Sequence, residues 1–252
     1  MIKTLKNYDV NELEEEIYAL QQKGHVLHLK AGSAAHNSTD WYNYLSSLSF
    51  LSPDRRHFDE GNKLNERDWW EIKYDPTNEH TYAYSKTAQP FHTDNAWFAN
   101  PPEINFFFLQ KQAKSGGQQR IYPIQRLIDD LNYYEPGLLN DLTQVEVVIR
   151  KGEELKGHKT RILNRLKNGT YKIYWNYYRV IRSSDAIDNM CNAFFRFLDS
   201  QINSSSVESI PSETGDAFCF NDSLLLHARD AFEAHHKGDR ILLQSMWSIS
   251  ER

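Results

Sequence analysis

The sequence predicts one α+β domain built round a β core, and three observations support this prediction. Helical patterns occur near the N-terminus, a long series of strand-like segments follows them, and no repeat, low-complexity tract or interdomain linker interrupts the chain. The 252 residues suit one large mixed domain, and their 40% hydrophobic content is enough for a sizeable core. We therefore expect residues 1–252 to form a single domain.

Two helices are predicted near the N-terminus, on either side of a strand. Asn11 is placed to cap a helix that runs to Gly24, because an apolar stripe follows it at helical spacing. The strand covers His25–Lys30. Ser38 or Thr39 is placed to cap the second helix, whose apolar residues turn inward.

The segment Asp54–Asn65 is polar and predicts a loop, which we expect to close over a bound substrate as a lid. Two later helices are predicted over Ile124–Tyr134 and Ala186–Ile202. Strands are predicted over the segments with alternating or continuous apolar residues, namely Trp69–Tyr74, Phe91–Phe98, Glu103–Ala113, Val145–Arg150, Arg161–Leu166, Thr170–Tyr174, Asp216–Asn221, Leu224–Ala228 and Arg240–Ile249.

Charge and composition limit the classes of partner. The formal net charge is −5 and no block of Lys or Arg occurs, so the chain lacks the electrostatic footprint of a nucleic-acid-binding protein. No apolar window is long enough for a membrane span, and the N-terminus lacks the apolar core of a signal peptide. The two cysteines fit no metal-binding spacing and are expected to be reduced thiols. We expect a cytoplasmic protein with a small-molecule substrate, and the sequence does not specify its oligomeric state.

The tripeptide His92-Thr93-Asp94 is the first half of a candidate metal site. Residues two apart in an extended segment project from the same face, so His92 and Asp94 can present an imidazole and a carboxylate to one point. A second imidazole from elsewhere would complete the two-histidine, one-carboxylate set of non-haem Fe(II) oxygenases, which leaves three metal positions open.

The second half of the pattern lies far downstream. A Gly-Asp turn leads into a strand, and the next strand ends on His227. Arg240 opens the strand after that, where its guanidinium suits the carboxylate of a dicarboxylic cosubstrate. The adjacent residues His235 and His236 stand on a polar segment and are expected to face water.

From Trp69 to Ile249 the chain resembles the taurine dioxygenase and clavaminate synthase-like group of Fe(II)/2-oxoglutarate oxygenases. This resemblance implies a double-stranded β-helix, a jelly-roll or cupin-like core, with flanking helices. The residues and motifs that carry it are His92, Asp94, His227 and Arg240, the His-Ala-Arg-Asp-Ala-Phe context of His227, the run Asn100-Pro101-Pro102-Glu103 and the turn Ser115-Gly116-Gly117.

The resemblance also implies the reaction and its cofactors. His92, Asp94 and His227 would hold Fe(II), while Arg240 and Arg229 would bind or support 2-oxoglutarate, which reacts with O₂ to give succinate and CO₂. Halogenases of this superfamily lack the carboxylate that Asp94 supplies, so hydroxylation of an unactivated C–H bond is preferred, with desaturation and cyclisation left open.

One departure from the group concerns the cosubstrate. Many members place a threonine shortly after the double glycine, whereas this chain has Gln118-Gln119-Arg120. The residue that takes the threonine's role is therefore not defined by the sequence.

The short length of the chain and the motifs His-Thr-Asp-Asn-Ala-Trp and Asn-Pro-Pro-Glu-Ile suggest the substrate. With them the chain resembles the small branch that contains free-lysine halogenases and lysine hydroxylases. This resemblance implies a free amino acid, with L-lysine and other cationic amino acids among the candidates. Asn95 and Trp97 lie beside the metal ligands, and Gln244 shares a strand face with Arg240. Asp75 is placed to pair with a substrate ammonium, which needs a counter-charge when it is buried.

Other functions remain open at the level of sequence. The same chemistry can act on another small metabolite or on a peptide-bound residue, because the site chemistry does not define the substrate. A non-enzymatic jelly-roll binding protein is a second alternative. A zinc hydrolase is a third, although such a site has no use for Arg240.

Overall fold

The computed structural model describes residues 1–32, 37–59, 61–153 and 155–251. These residues form the five helices α1 (Val10–Ala19), α2 (Ser38–Ser47), α3 (Ile124–Tyr134), α4 (Pro136–Gln144) and α5 (Asp185–Gln201). They also form the strands β1 (Ile2–Leu5), β2 (Val26–Leu29), β3 (Leu51–Asp54), β4 (Arg56–Phe58), β5 (Leu64–Glu66), β6 (Trp70–Lys73), β7 (Gln89–His92), β8 (Ile104–Lys111), β9 (Gln119–Pro123), β10 (Glu146–Ile149), β11 (His158–Arg161), β12 (Leu163–Arg165), β13 (Tyr171–Ile173), β14 (Glu208–Ser209), β15 (Ala217–Asn221), β16 (Leu225–Arg229) and β17 (Ile241–Ile249).

Two sheets build the core of the fold. The larger has seven strands in the order β1-β2-β15-β8-β17-β3, with β6 also paired to β17. The smaller has the order β14-β9-β16-β7. Every pairing in them is antiparallel except that of β1 with β2. This arrangement confirms the predicted α+β class with a β core of the jelly-roll type.

Aromatic side chains fill the space between the two sheets. Phe107 on β8 stacks on Phe218 of β15 with ring centroids 4.9 Å apart, and Phe220 lies 5.6 Å away. Ile121 and Leu225 belong to the same buried cluster and come from the smaller sheet. Burial of this apolar surface holds the sheets face to face.

Helices cover the outer faces of both sheets. Leu13 and Ile17 of α1 pack with Trp41 of α2 against the outside of the larger sheet. The helices α3, α4 and α5 cover the smaller sheet, where Phe194 of α5 packs on Trp175 with centroids 4.8 Å apart. The helices thus leave the space between the sheets to the aromatic core and to the polar groups described below.

The predicted helix starts need correction. Asp9, not Asn11, caps α1, because the Asp9 side chain accepts the backbone N–H of Glu12, and α1 ends at Ala19 rather than near Gly24. Asn37 caps α2 through a capping box with Asp40, so the prediction of Ser38 or Thr39 as the cap is also wrong.

The prediction of a loop over Asp54–Asn65 is wrong for the part of this segment that the structure describes. Arg56–Phe58 and Leu64–Glu66 pair as an antiparallel ribbon, with Arg56 opposite Glu66. His57 and Phe58 are buried although the segment is polar overall. The ribbon could not be predicted from composition, because its sequence has no apolar alternation. Its inward residues are buried instead by aromatic rings from other segments.

The described residues contain neither a membrane-spanning helix nor a disulfide. None of their helices is both long enough and apolar enough to cross a membrane. Cys191 and Cys219 are both buried and form no disulfide.

Phe194→Ala is expected to lower the free energy of unfolding by about 3–5 kcal/mol, because the ring is fully buried against Trp175 and its removal leaves a cavity. Tyr133→Ala is the matched control, since Tyr133 is 79% exposed, and it should change stability by less than about 0.5 kcal/mol. Urea denaturation followed by circular dichroism measures both values, and equal losses would contradict the packing described here.

Candidate active site

Two histidines face each other across neighbouring strands of the smaller sheet. His227 on β16 pairs directly with His92 at the end of β7, and their ring centroids are 4.1 Å apart. The strand predicted over Phe91–Phe98 is therefore too long, because β7 ends at His92 and Asn95 adopts the left-handed conformation with φ of 58°.

Thr93 is held by the backbone of Trp175 between the two candidate ligands. The Thr93 N–H donates to the Trp175 carbonyl at 2.7 Å, and the Trp175 N–H donates to the Thr93 hydroxyl at 3.0 Å. Both residues are buried, so these hydrogen bonds fix the chain where it leaves β7. Asp94 is thereby turned back towards the two imidazoles.

The donor atoms of His92, Asp94 and His227 all lie within 4.8 Å of one another. His92 Nε2 is 3.5 Å from Asp94 Oδ1, and His227 Nε2 is 3.4 Å from Asp94 Oδ2. Adjacent donors about 2.1 Å from an octahedral metal are about 3 Å apart, so small side-chain rotations suffice for ligation. Among the described residues this is the one such cluster of three His, Cys, Asp or Glu side chains.

Neighbouring groups prepare both imidazoles for a metal. The Nδ1–H of His92 donates to the Pro90 carbonyl at 2.9 Å, which directs the Nε2 lone pair into the site. His227 Nδ1 lies 3.2 Å from the buried carboxylate of Asp222, which is an ion-pair contact rather than an aligned hydrogen bond. Gln89 donates from Nε2 to His92 Nε2 at 2.9 Å, on the ring nitrogen that faces Asp94.

Two amides hold the carboxylate of Asp94. Gln244 donates to Asp94 Oδ2 at 2.7 Å, and Asn105 donates to the same oxygen at 3.2 Å. Burial raises the pKa of this carboxyl, but His227 and His92 outweigh it and hold the pKa of Asp94 well below its ordinary value. Asp94 is therefore an anion that suits a hard divalent cation.

Arg240 is a buried cation without a carboxylate partner among the described residues. Its side chain is 2% exposed, its guanidinium donates to the Gly117 carbonyl at 3.2 Å, and its Nε has no partner there. Burial, with a smaller contribution from Arg229, lowers the pKa of Arg240 to about 9. An unpaired buried guanidinium is costly, so this arrangement fits a carboxylate ligand.

The double glycine gives Arg240 its space. Gly117 has φ of +74°, and a Cβ atom there would lie 3.0 Å from Arg240 Nε and 3.3 Å from Phe232 Cβ. Only glycine leaves the guanidinium free on this side, so the Ser115-Gly116-Gly117 motif and Arg240 belong to one binding site.

Arg229 has a structural role that the sequence did not predict. Its terminal nitrogens donate to the carbonyls of Tyr82, Ser85 and Thr87 at 2.8–3.0 Å. Only its Nε is buried without a partner among the described residues. Burial lowers the pKa of Arg229 to about 10. The hydrogen bonds of Arg229 thus brace a segment of the chain, and its predicted role in binding or supporting the cosubstrate stays a prediction.

The run Gln118-Gln119-Arg120 divides between the two faces of β9. Gln119 is buried and pairs with Arg229, two residues along from the pair of Ile121 with His227, so it lies on the inner face. Arg120 forms an ion pair with Asp230 at 2.9 Å. Of these residues, Gln119 is therefore the one that lies on the same inner face of the smaller sheet as His227.

A cavity of about 620 Å³ opens beside two of the three candidate ligands, His92 and Asp94. Of the residues predicted to contact substrate, Asn95, Trp97 and Gln244 line it. Asn95 donates to the Met246 sulfur, and Gln244 bridges the wall to Asp94. The segment that Arg229 braces supplies another part of the wall. The cavity thus meets the candidate metal site along one edge, as a substrate site requires.

Asp75 does not belong to this wall. Its carboxylate pairs with Lys237 at 2.6 Å and accepts hydrogen bonds from the backbone and hydroxyl of Thr77. These contacts hold the pKa of Asp75 below its ordinary range. Its position therefore argues against the predicted contact with a substrate ammonium.

Several site residues were missed by the sequence analysis. Gln89 and Asn105 touch the candidate ligands, whereas His57, Trp70 and Arg179 line the cavity. Asn105 could have been found, because it alternates with Phe107 on β8 and shares the face of Met246 across β17. The others come from segments whose sequence gives no sign that they meet the site.

The comparisons with known proteins identify the family. The model described as "Taurine catabolism dioxygenase TauD, TfdA family" matches residues 5–247. The chain belongs to this family. The family and the converging donor atoms confirm the predicted class, a non-haem iron dioxygenase that uses 2-oxoglutarate. No curated protein matches the chain in sequence.

Several solved structures have the same fold as this chain although their sequence identity to it is low. An asparagine oxygenase in complex with Fe(II), 3-hydroxyasparagine and succinate has a TM-score of 0.69 at 12% identity, over 94% of this chain and 79% of its own. The non-heme iron oxygenase OrfP with Fe and alpha-ketoglutaric acid has a TM-score of 0.67 at 13% identity, over 96% and 80%. A taurine dioxygenase from Burkholderia xenovorans has a TM-score of 0.67 at 13% identity, over 100% and 86%.

His92→Ala is expected to weaken Fe(II) binding by at least about 100-fold, because it removes one of three ligands. His235→Ala is the matched control, since His235 is exposed and outside the cluster. Anaerobic calorimetric titration with Fe(II) measures both affinities, and an equal loss in the two variants would exclude the cluster as the iron site.

Arg240→Gln is expected to raise the Kd of 2-oxoglutarate by about 30-fold or more, equivalent to about 2 kcal/mol, because a buried carboxylate loses its cation. Arg120→Gln removes an arginine that is already paired with Asp230 and should leave this Kd within about twofold. Equilibrium dialysis of labelled 2-oxoglutarate with the metal-loaded protein compares them. Unchanged affinity in Arg240→Gln would place the cosubstrate elsewhere.

Proposed function

We propose that residues 1–252 act as one domain that hydroxylates an unactivated C–H bond of a free amino acid. The observation that carries the proposal is the cavity of about 620 Å³ that is lined by two members of the three-residue cluster, His92 and Asp94. Arg240, which has no carboxylate partner among the described residues, lies buried in the same fold. Two ligand sites, one for a substrate and one for a dicarboxylate, are what this reaction needs.

The proposed metal site uses His92, Asp94 and His227. Iron bound there, with 2-oxoglutarate and O₂, supplies the oxidation, and succinate and CO₂ are the coproducts. The protein contributes the direction of the donor atoms. Pro90 and Asp222 orient the two imidazoles, and the amides on Asp94 keep both carboxylate oxygens close to the imidazole Nε2 atoms.

The proposed cosubstrate site uses Arg240 and the inner face of β9. The guanidinium of Arg240 binds the distal carboxylate of 2-oxoglutarate, with space that Gly117 leaves open. Gln119 donates a hydrogen bond to that carboxylate in place of the family's threonine. Arg229 adds positive potential and braces the segment Tyr82–Thr87, part of which lines the substrate cavity.

The carboxylate of Asp94 favours hydroxylation over halogenation, because it fills a metal position that a chloride ion would need. Free amino acids are the favoured substrates for two reasons. The asparagine oxygenase and OrfP structures contain hydroxylated amino acids, and both share this fold. The cavity also carries charged groups of both signs, which suits a zwitterion.

The decisive experiment is a screen for O₂-dependent succinate release by the Fe(II)-loaded protein over the free amino acids. One amino acid should raise the rate strongly and give a product that is heavier by one oxygen atom in mass spectrometry. Asp94→Ala should lose this rise, because iron loses its anionic ligand, whereas Asp230→Ala removes a carboxylate that pairs with Arg120 and should retain it.

Two other outcomes bear on the proposal differently. Slow succinate release that no amino acid increases would support the assignment of Fe(II) and 2-oxoglutarate but exclude free amino acids as substrates. A peptide or another metabolite would then be the favoured substrate. No succinate release under any condition, with Fe(II) still bound, would favour a binding protein over an enzyme.

A further inference from the structure

The charged groups around the cavity contain information about the substrate side chain, provided that the proposed amino acid hydroxylase function holds. Besides Asp94, two acidic residues of the described chain line the cavity, Asp59 and Glu79. Asp59 accepts hydrogen bonds from the Lys63 backbone and from Asn65, and Glu79 is exposed. The described wall therefore has no buried carboxylate, apart from the metal ligand, for a cationic side chain.

Asp75, the acid that the sequence offered for this role, is engaged elsewhere, because it pairs with Lys237. Glu71, which lies nearby on β6, pairs with Lys73. Neither acid lines the cavity. A lysine or arginine side chain that reached the metal would find no buried carboxylate among the described lining residues, apart from the metal ligand Asp94, to balance its charge.

A cation without a partner lies on the same wall. Arg179 lines the cavity, is half-buried, and forms no ion pair or side-chain hydrogen bond with the described residues. Burial lowers the pKa of its guanidinium. Arg179 therefore suits the carboxylate of an incoming ligand, and Glu79, which is exposed on the same wall, suits its ammonium group.

Deeper in the wall is a neutral polar group. His57 is 5% exposed and stacks on Trp70 with ring centroids 5.7 Å apart, and its Nε2 has no partner among the described residues. Burial lowers the pKa of His57 to about 4, and Asp94 is among the charged groups that act on it. This imidazole is uncharged at neutral pH, so it offers a hydrogen bond but no charge to balance an ionic side chain, which favours a neutral polar partner.

We propose that Arg179 binds the substrate α-carboxylate, that His57 Nε2 hydrogen-bonds a neutral polar group of the side chain, and that the cavity rejects cationic side chains. The preferred substrates are then amino acids with a carboxamide or hydroxyl side chain. This reverses the expectation from the sequence, in which lysine and other cationic amino acids were candidates.

Substrate binding is measured without turnover. The anaerobic protein with Fe(II) and 2-oxoglutarate should show a charge-transfer absorption band. An amino acid that binds in the cavity next to the metal should perturb this band. Titration with asparagine, glutamine, serine and threonine should give a Kd at least about 100-fold below those of lysine, ornithine and arginine. Aspartate and glutamate should bind as weakly as the cationic amino acids, because His57 is neutral.

Three variants test the residues. Arg179→Gln should raise the Kd of the best amino acid by about 10–100-fold, Arg179→Lys should restore part of the affinity, and the exposed Arg161→Gln should have no effect. His57→Phe keeps a ring on Trp70 but removes the hydrogen bond, so it should reduce the preference for polar over apolar side chains of equal size.

The outcomes separate this proposal from the function on which it rests. A band that lysine, arginine or aspartate perturbs as readily as asparagine would overturn the side-chain assignment while supporting the iron and 2-oxoglutarate sites. Equal Kd values for the wild-type protein and Arg179→Gln would overturn the carboxylate assignment. Absence of the band in the wild-type protein would overturn the proposed function itself.

Discussion

The pairing of His92 with His227 across β7 and β16 is the constraint on which the rest of the site depends. Both strands belong to a sheet with one face on the helices and one face on the aromatic core, so a slip of one residue would turn Phe91 or Leu226 inward and bury the imidazoles among α3 and α5. The hydrogen bonds of Thr93 with Trp175 then bring Asp94 back to the same point. Register supplies two ligands, and one short irregular segment supplies the third.

Buried positive charge is the second organising feature. Arg229 and Arg240 both lie over the ring of Phe232, at 5.1 and 5.5 Å from its centroid, and neither has a carboxylate partner among the described residues. Backbone carbonyls satisfy most of the hydrogen bonds of Arg229, whereas Arg240 keeps an unpartnered Nε. A dianionic cosubstrate would relieve this cost, so its binding should stabilise the folded state as well as start the reaction.

Sequence reasoning succeeded where a short motif defines both the chemistry and the local geometry. The motif His92-Thr93-Asp94, joined with His227 through the family resemblance, predicted three donor atoms that the structure brings within 4.8 Å of one another. Strand alternation predicted an inward Gln244, which contacts Asp94, while the role of Arg240 stays a proposal. Sequence reasoning failed where tertiary contacts override composition. The ribbon formed by Arg56–Phe58 and Leu64–Glu66 has a polar sequence, and its burial depends on aromatic rings from distant segments. Cap positions at Asp9 and Asn37 were missed because several residues able to cap a helix stand next to each other.

The charge of a binding cavity is the property that sequence is least able to predict, and Asp75 shows why. Its position after β6 placed an acid near the site, but whether that acid is available depends on Lys237, which lies far along the chain and neutralises it. Arg179 presents the opposite case, since it resembles any surface arginine in the sequence yet lines the cavity without a partner among the described residues. Substrate selection by charge depends on which groups remain unpaired after folding, and that balance is set by contacts between segments rather than by any local motif.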